Sequence, residues 1–277
     1  MISINFSGFL LNFKIPRVMG IVNLTPDSFY DGGKLNSEYK ILKHIEHLLK
    51  EGADIIDIGG YSTRPGSTFV TEKEELKRIK KPIQSIIKNF LNIKISIDTF
   101  RSEVAKVALN EGALMINDIS GGKLNRNMYD LLKEFKVPYV LNHMNTFSKY
   151  RKNVFFNKKK IVVEINHFFS KKIYLLKKLG INDIILDPGF GFGKTLEENF
   201  YLLKNLSLLG FQEYLILIGI SRKSMIKNLL NVSSEWSLNG TSVLHTISLL
   251  KGIKFFRVHD VKEAKECIKL IQYYKYL

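Results

Sequence analysis

The stretch IIDIGGYSTRPGSTFVTEKEELKRIKKPIQSIIKNFLNIKISID, residues 55–98, decides the fold. It opens on an apolar run at 55–58, breaks at Gly59 and Gly60, crosses a polar connection, and enters a segment at 71–90 whose apolar residues lie three and four apart. A second strand-like segment, KISI with alternating isoleucines, follows at 94–97. Short β-rich runs on either side of a 3.6-residue period read as strand, crossover helix and parallel strand. Such crossovers are right-handed.

The same unit recurs in both directions. Expected strands lie at 18–22, 55–58, 94–97, 114–116, 139–141, 184–186, 215–218 and 255–258. Helical spacing appears between them in YKILKHIEHLLKEG (39–52), SEVAKVALNEG (102–112) and VKEAKECIKLIQYY (261–274), with Gly at several C-terminal ends. Regular alternation of this kind predicts an α/β protein, and eight repeats predict closure into a TIM-type (βα)8 barrel with its active site at the C-terminal ends of the strands. An open doubly wound sheet is the alternative. No Pro/Gly/Ser-rich linker divides the chain, so residues 1–277 are expected to form one domain.

Composition narrows the classes. Hydrophobic residues at 45% with 25% charged can fill a large core and are unlike a disordered chain. The net charge of +16 raises nucleic-acid binding, but the lysines are spread over nearly every expected helix and form no tract, so no nucleic-acid partner is expected. The opening MISINFSGFLLNF lacks the basic start of a targeting signal, and no apolar run is long enough for a membrane span. A cytoplasmic location is expected. The one cysteine, Cys267, falls on the buried spacing of its helix and reads as a core thiol.

Polar residues follow almost every expected strand: Asn23, the loop with Arg64, Asp98, Asn117, His143, Asp187, the turn 221–224, then Arg257 and His259. In a barrel these ends converge on one mouth. The first connection, NLTPDSFYDGG, carries Asp27, Asp31 and Phe29 and reads as a cover over a site. The second, GGYSTRPGS, places Arg64 before Pro65, and an Arg fork suits a diphosphate. DPGFGFGKT fails the phosphate-loop pattern because Pro188 stands where its first Gly belongs. Its glycines are expected to bend the backbone around Asp187, with Phe190 and Phe192 packing or facing a flat ligand. In GISRKSM, Ser221 reads as the N-cap of a helix with Lys223 and Ser224 in its first turn.

MGIVNLTPDSFYDGG, GADIIDIGGYSTRPG, ISIDTFR, GALMINDISGG, ILDPGFGFGKTLEENFYLL, GISRKSM and FRVHDV resemble, in order and spacing, the motif series of dihydropteroate synthases. The resemblance spans essentially the whole chain. It implies a pterin-binding barrel, a homodimer, with dihydropterin methyl diphosphate and 4-aminobenzoate as substrates. Matching positions imply that Asp98, Asn117, Asp187 and Lys223 read the pterin, with Thr63 and Phe192 also lining the substrate site. They imply that Arg64, Arg257 and His259 hold the diphosphate, that Ser224 meets the aminobenzoate carboxylate, and that Asn23 holds magnesium (Mg2+) with the diphosphate. Asp31 and Arg64 would close the site, and Asp98, Lys223, Arg64 and Asp31 form the implied catalytic set. Two positions depart from the family pattern: Tyr61 stands where Glu is usual, and Asn142 where Met is common. The competing readings are a methyltetrahydrofolate-dependent methyltransferase of similar barrel type and a pterin-binding paralogue with altered catalysis.

Overall fold

The barrel strands carry apolar side chains on both faces, because one face meets the surrounding helices and the other fills the barrel interior. The computed structural model describes residues 2–24, 38–61, 69–145 and 160–276. An antiparallel hairpin, β1 (Ser3–Phe6) and β2 (Phe9–Asn12), comes first. Eight parallel strands follow: β3 (Arg17–Asn23), β4 (Ile55–Gly59), β5 (Ile95–Asp98), β6 (Met115–Asp118), β7 (Tyr139–Asn142), β8 (Ile184–Asp187), β9 (Leu215–Ile218) and β10 (Phe255–Val258). They pair in chain order, and β10 returns to β3, closing the barrel. The eight expected strands are each present, with ends shifted by two residues at most.

The helices alternate with them: α1 (Glu38–Lys50), α2 (Glu72–Asn89), α3 (Ser102–Asn110), α4 (Met128–Phe135), α5 (Lys160–Lys178), α6 (Leu196–Lys204), α7 (Ser224–Leu230), α8 (Leu238–Leu250) and α9 (Val261–Tyr276). Helix α2 shows the local logic. Thr71 caps it by accepting from Glu74 N at 3.3 Å, and Glu72, Glu74 and Glu75 lie in its first turn, where they meet the positive end of the helix dipole. Ile79, Ile83 and Ile86 then bury one stripe against the barrel. No described helix is long and apolar enough to cross a membrane. Cys267 is buried on α9, as its spacing predicts.

Strand periodicity sorts the barrel interior into layers. Met19, Ile55, Met115, Val140, Ile185, Leu215 and Phe255 form an apolar floor, which joins Ile4, Phe6, Leu11 and Phe13 from the amino-terminal segment. The Phe13 and Phe255 rings meet edge-on at 5.2 Å. The hairpin therefore plugs the N-terminal end of the barrel, which leaves the opposite end open to ligands. Two residues further along the strands the interior turns polar, at Asp57, Asp98, Asn117, Asn142, Asp187 and Arg257.

Candidate active site

Arg257 is the hub of the polar layer. Its Nε lies 2.6 Å from Asp57 Oδ2 and its Nη2 lies 2.5 Å from Asp98 Oδ2. Asn117 donates from Nδ2 to the same Asp57 oxygen at 2.9 Å. Four strands thus meet in one chain of charge-assisted bonds from Asp98 to Asn117. Asp57 is fully buried, and its second oxygen, Oδ1, is buried with no donor among the described residues. A buried acceptor in that state suits a ligand N–H.

Glycines set the space between these groups. A side-chain carbon on Gly59 would sit 3.6 Å from Asp98 Cβ and 3.8 Å from Asn23 Oδ1, so Gly59 separates Asn23 from Asp98 at the end of β4. Gly219 does the same between Arg257 and Lys223, whose Nζ lies 3.8 Å from such a carbon. Lys223 Nζ donates to the Phe190 carbonyl and lies 4.5 Å above the Phe192 ring. Phe192 is half-buried beneath that ammonium, whereas Phe190 is core.

The GFGFG turn bends as expected. Gly189, Gly191 and Gly193 have φ of 71°, 78° and 64°, and Gly189 N donates to Asp187 Oδ1 at 2.7 Å. A Cβ on Gly189 would meet the His143 carbonyl at 2.0 Å. Lys194 Nζ pins the turn from behind, donating to the carbonyls of Gly189 at 2.7 Å and His143 at 3.1 Å.

The turn after β9 corrects the expected cap. Helix α7 starts at Ser224, its N-cap position is Lys223, and no side chain caps it. Ser221 turns instead to His259: its Oγ lies 3.1 Å from Nδ1 and accepts from His259 N at 3.2 Å. Arg222, the other cation of the turn, reaches Asp260 with two bonds of 2.9 and 2.7 Å. Lys223 alone of the pair turns to Phe190 and Phe192, while Ser224 is exposed. Asp31, Thr63 and Arg64 lie outside the described residues. So does Phe29.

Burial governs the electrostatics. It raises the Asp98 carboxyl to about 7, with Arg257 opposing and Asp57 reinforcing the shift. Burial also raises Asp187, against the pull of Lys223. Lys223 is lowered to about 8, chiefly by burial, with Asp187 working the other way. His143 is lowered to about 2 by burial and by the nearby Lys194 charge, so it is neutral. The mouth therefore offers one carboxylate, Asp98, and one ammonium, Lys223, whose charges titrate near neutral pH, a mark of functional sites.

Asp57 escaped the sequence reading. It sits inside the apolar run IIDIGG, and an acid in the middle of a buried strand is the signal that marks it. Among the described residues, no three acidic, His or Cys side chains gather to hold a metal. Asn23 supplies one amide oxygen, which fits Mg2+ only where a substrate's phosphate oxygens and water complete its shell.

A parallel barrel with carboxylates and cations gathered at the C-terminal strand ends defines an α/β-barrel enzyme with a site for a small polar ligand. Comparison with known proteins narrows that class. The pterin binding enzyme family matches residues 19–259. The dihydropteroate synthase of Clostridium beijerinckii is 41% identical over 256 residues, covering 91% of this chain and 92% of that protein. The Xanthomonas albilineans dihydropteroate synthase solved with 4-aminobenzoic acid superposes with a TM-score of 0.90 at 34% identity, covering 99% of this chain and 98% of the other. The same enzyme with 7,8-dihydropteroate gives a TM-score of 0.86 at 32% identity, covering 99% of both chains. The chain belongs to the dihydropteroate synthase family.

Proposed function

We propose that the chain joins a dihydropterin methyl diphosphate to 4-aminobenzoate, giving 7,8-dihydropteroate and diphosphate. The observation that carries this is the mouth itself, where two acceptor groups, Asp98 with Asp57 and Asp187, alternate with two cations, Arg257 and Lys223. A pterin edge presents an amino group and ring N–H to carboxylates and a carbonyl to a cation, so this alternation complements it. Support also comes from the bound aminobenzoic acid and dihydropteroate of the Xanthomonas relatives.

In this reading Asp98, Asn117, Asp187 and Lys223 read the pterin, with Phe192 against its ring face. Arg64, Arg257 and His259 contact the diphosphate end, Thr63 belongs to the substrate site, and Ser224 meets the aminobenzoate carboxylate. Arg257 takes a wider part than diphosphate contact, because it also pairs with Asp57 and Asp98 and so fixes the two carboxylates relative to each other. The aromatic amine is already neutral at pH 7 and needs no strong base. Its nitrogen lone pair forms the new C–N bond, the C–O bond electrons leave with the diphosphate, and the anilinium proton passes to water. The cations stabilise the departing charge, and Asp98 faces the electron-poor carbon. Asn23 would hold Mg2+, which when bound supplies further positive charge to the phosphate oxygens. Asp31 and Arg64 complete the set on their two connections. The enzyme works in the cytoplasm as a homodimer, and the dimer draws support from exposed Leu229, Leu230, Trp236, Val243 and Leu270 toward the carboxyl-terminal helices.

A methyltransferase of similar barrel type is the reading to separate. The purified chain is incubated with dihydropterin methyl diphosphate and either 4-aminobenzoate, or with methyltetrahydrofolate and a reduced corrinoid. The proposal expects dihydropteroate from the first mixture and no methylcorrinoid from the second. The reverse outcome overturns it.

A further inference from the structure

The second βα connection leaves the barrel through Gly60 and Tyr61 and rejoins it through Phe69 and Val70. Arg101 lies where these ends meet. Its guanidinium carbon is 5.3 Å from the Tyr61 ring, 5.8 Å from Phe69 and 5.1 Å from Phe100. Tyr61 also packs edge-on against Phe100, with ring centroids 5.8 Å apart at 74°. The fork of the same guanidinium is shared between two partners. Nη1 pairs with the Glu75 carboxylate, and Nη2 donates to the Val70 carbonyl at 2.6 Å.

The cluster is tied to the reading strand as well. Arg101 N donates to Thr99 Oγ1 at 3.2 Å, and that hydroxyl donates to Glu75 Oε1 at 2.8 Å. Thr99 directly follows Asp98. Glu75 is almost fully buried, and Gly60 leaves no room before it: a side-chain carbon there would sit 2.8 Å from Ile79 and 3.0 Å from Glu75. Arg78 Nη1 further holds the Gly60 carbonyl at 3.3 Å.

We propose that Arg101 and Tyr61 are positioning residues for the reaction, fixing both described ends of the connection that carries Thr63 and Arg64 against the strand end that carries Asp98. The inference rests on the reading that Arg64 serves the diphosphate. The chemistry explains why position 61 is aromatic here. Glu75 already neutralises Arg101, so a second carboxylate at 61 would be desolvated without a charge of its own to meet, whereas a ring face attracts the guanidinium and remains neutral. Arginine is required because one planar fork serves the carboxylate and the carbonyl together, which a lysine ammonium does not match.

The test uses the full chain as Tyr61→Phe, Tyr61→Ala and Arg101→Lys. Tyr61→Ala is expected to raise KM for the dihydropterin diphosphate and lower kcat, about tenfold together in kcat/KM, while leaving the aminobenzoate KM nearly unchanged, since a cation–π contact that holds the connection carrying Arg64 is being removed. Tyr61→Phe keeps the ring face and stays within about twofold of the parent. Arg101→Lys falls with Tyr61→Ala. Hydrogen exchange in the 59–71 segment is faster in Tyr61→Ala and Arg101→Lys and unchanged in Tyr61→Phe. The proposal is overturned if Tyr61→Ala keeps the parent's KM and exchange, if Tyr61→Phe is as impaired as Tyr61→Ala, or if only thermal stability falls. Binding of the hydroxymethyl dihydropterin that lacks diphosphate separates the two ideas. An equal loss on both ligands sinks the Arg64 reading, while the exchange data still decide whether Arg101 and Tyr61 hold the connection.

Discussion

Asp98, Arg257 and Asp57 behave as one unit: Arg257 pairs with both carboxylates, so either acid can be lost with the other still paired, whereas loss of Arg257 leaves both without their counter-ion. Asp98→Asn keeps the shape and removes a charge; kcat/KM for the pterin substrate is expected to fall about 10²-fold or more, with little loss of fold. Arg257→Met is the harsher change. It strands two carboxylates and costs about 3–5 kcal/mol, seen as a Tm drop of roughly 6–20 °C by calorimetry. The pH profile follows from the same burial. Asp98 gains its charge as pH rises through about 7, and Lys223 loses its charge as pH rises through about 8, so kcat/KM for the pterin substrate describes a narrow bell between those limits. A flat profile from pH 6 to 9 contradicts the assignment of both residues. At this scale the sequence was informative where polarity resumed after a strand, as at Asp98, Asn117 and Asp187. Asp57 was hidden by its apolar neighbours, and the Arg257 partnership by 200 residues of separation. Pairing across a closed barrel depends on register, which no local pattern carries.

The GFGFG turn and the connection ends show how elements deliver these side chains. Gly189 has φ of 71° and the His143 carbonyl where a Cβ would go, so Gly189→Ala strains the backbone and displaces β7 from the turn. The expected cost is about 2 kcal/mol or more, accompanied by a raised KM for pterin because Asp187 loses its Gly189 N–H. Unchanged pterin binding by Gly189→Ala, measured by calorimetric titration, contradicts this account of the turn. The strands and most helices were legible because buried strands and amphipathic helices have different periods. The hairpin β1–β2 was not recognised, since its short alternating segments sit in a stretch read only for targeting signals. The Ser221 cap failed for a tertiary reason: His259 takes the Ser221 hydroxyl, and the helix starts later.

At the scale of the molecule, the fold separates its two ends by task. Phe6 and Phe13 close the apolar floor, while the opposite end is lined by charge. Phe13→Ala is expected to cost about 3–5 kcal/mol by opening a cavity at the floor, with KM values unchanged in the enzyme that remains folded. A shifted pterin KM without lost stability reverses that division. The net charge of +16 gives the molecule a positive field that draws anionic ligands toward it. A condensation at one mouth is followed by measuring diphosphate and dihydropteroate together. With dihydropterin methyl diphosphate, 4-aminobenzoate and Mg2+, the parent chain is expected to release the two products one for one, and Asp98→Asn to release neither at a comparable rate. Tight pterin binding with no diphosphate released, or diphosphate released without dihydropteroate, contradicts the account.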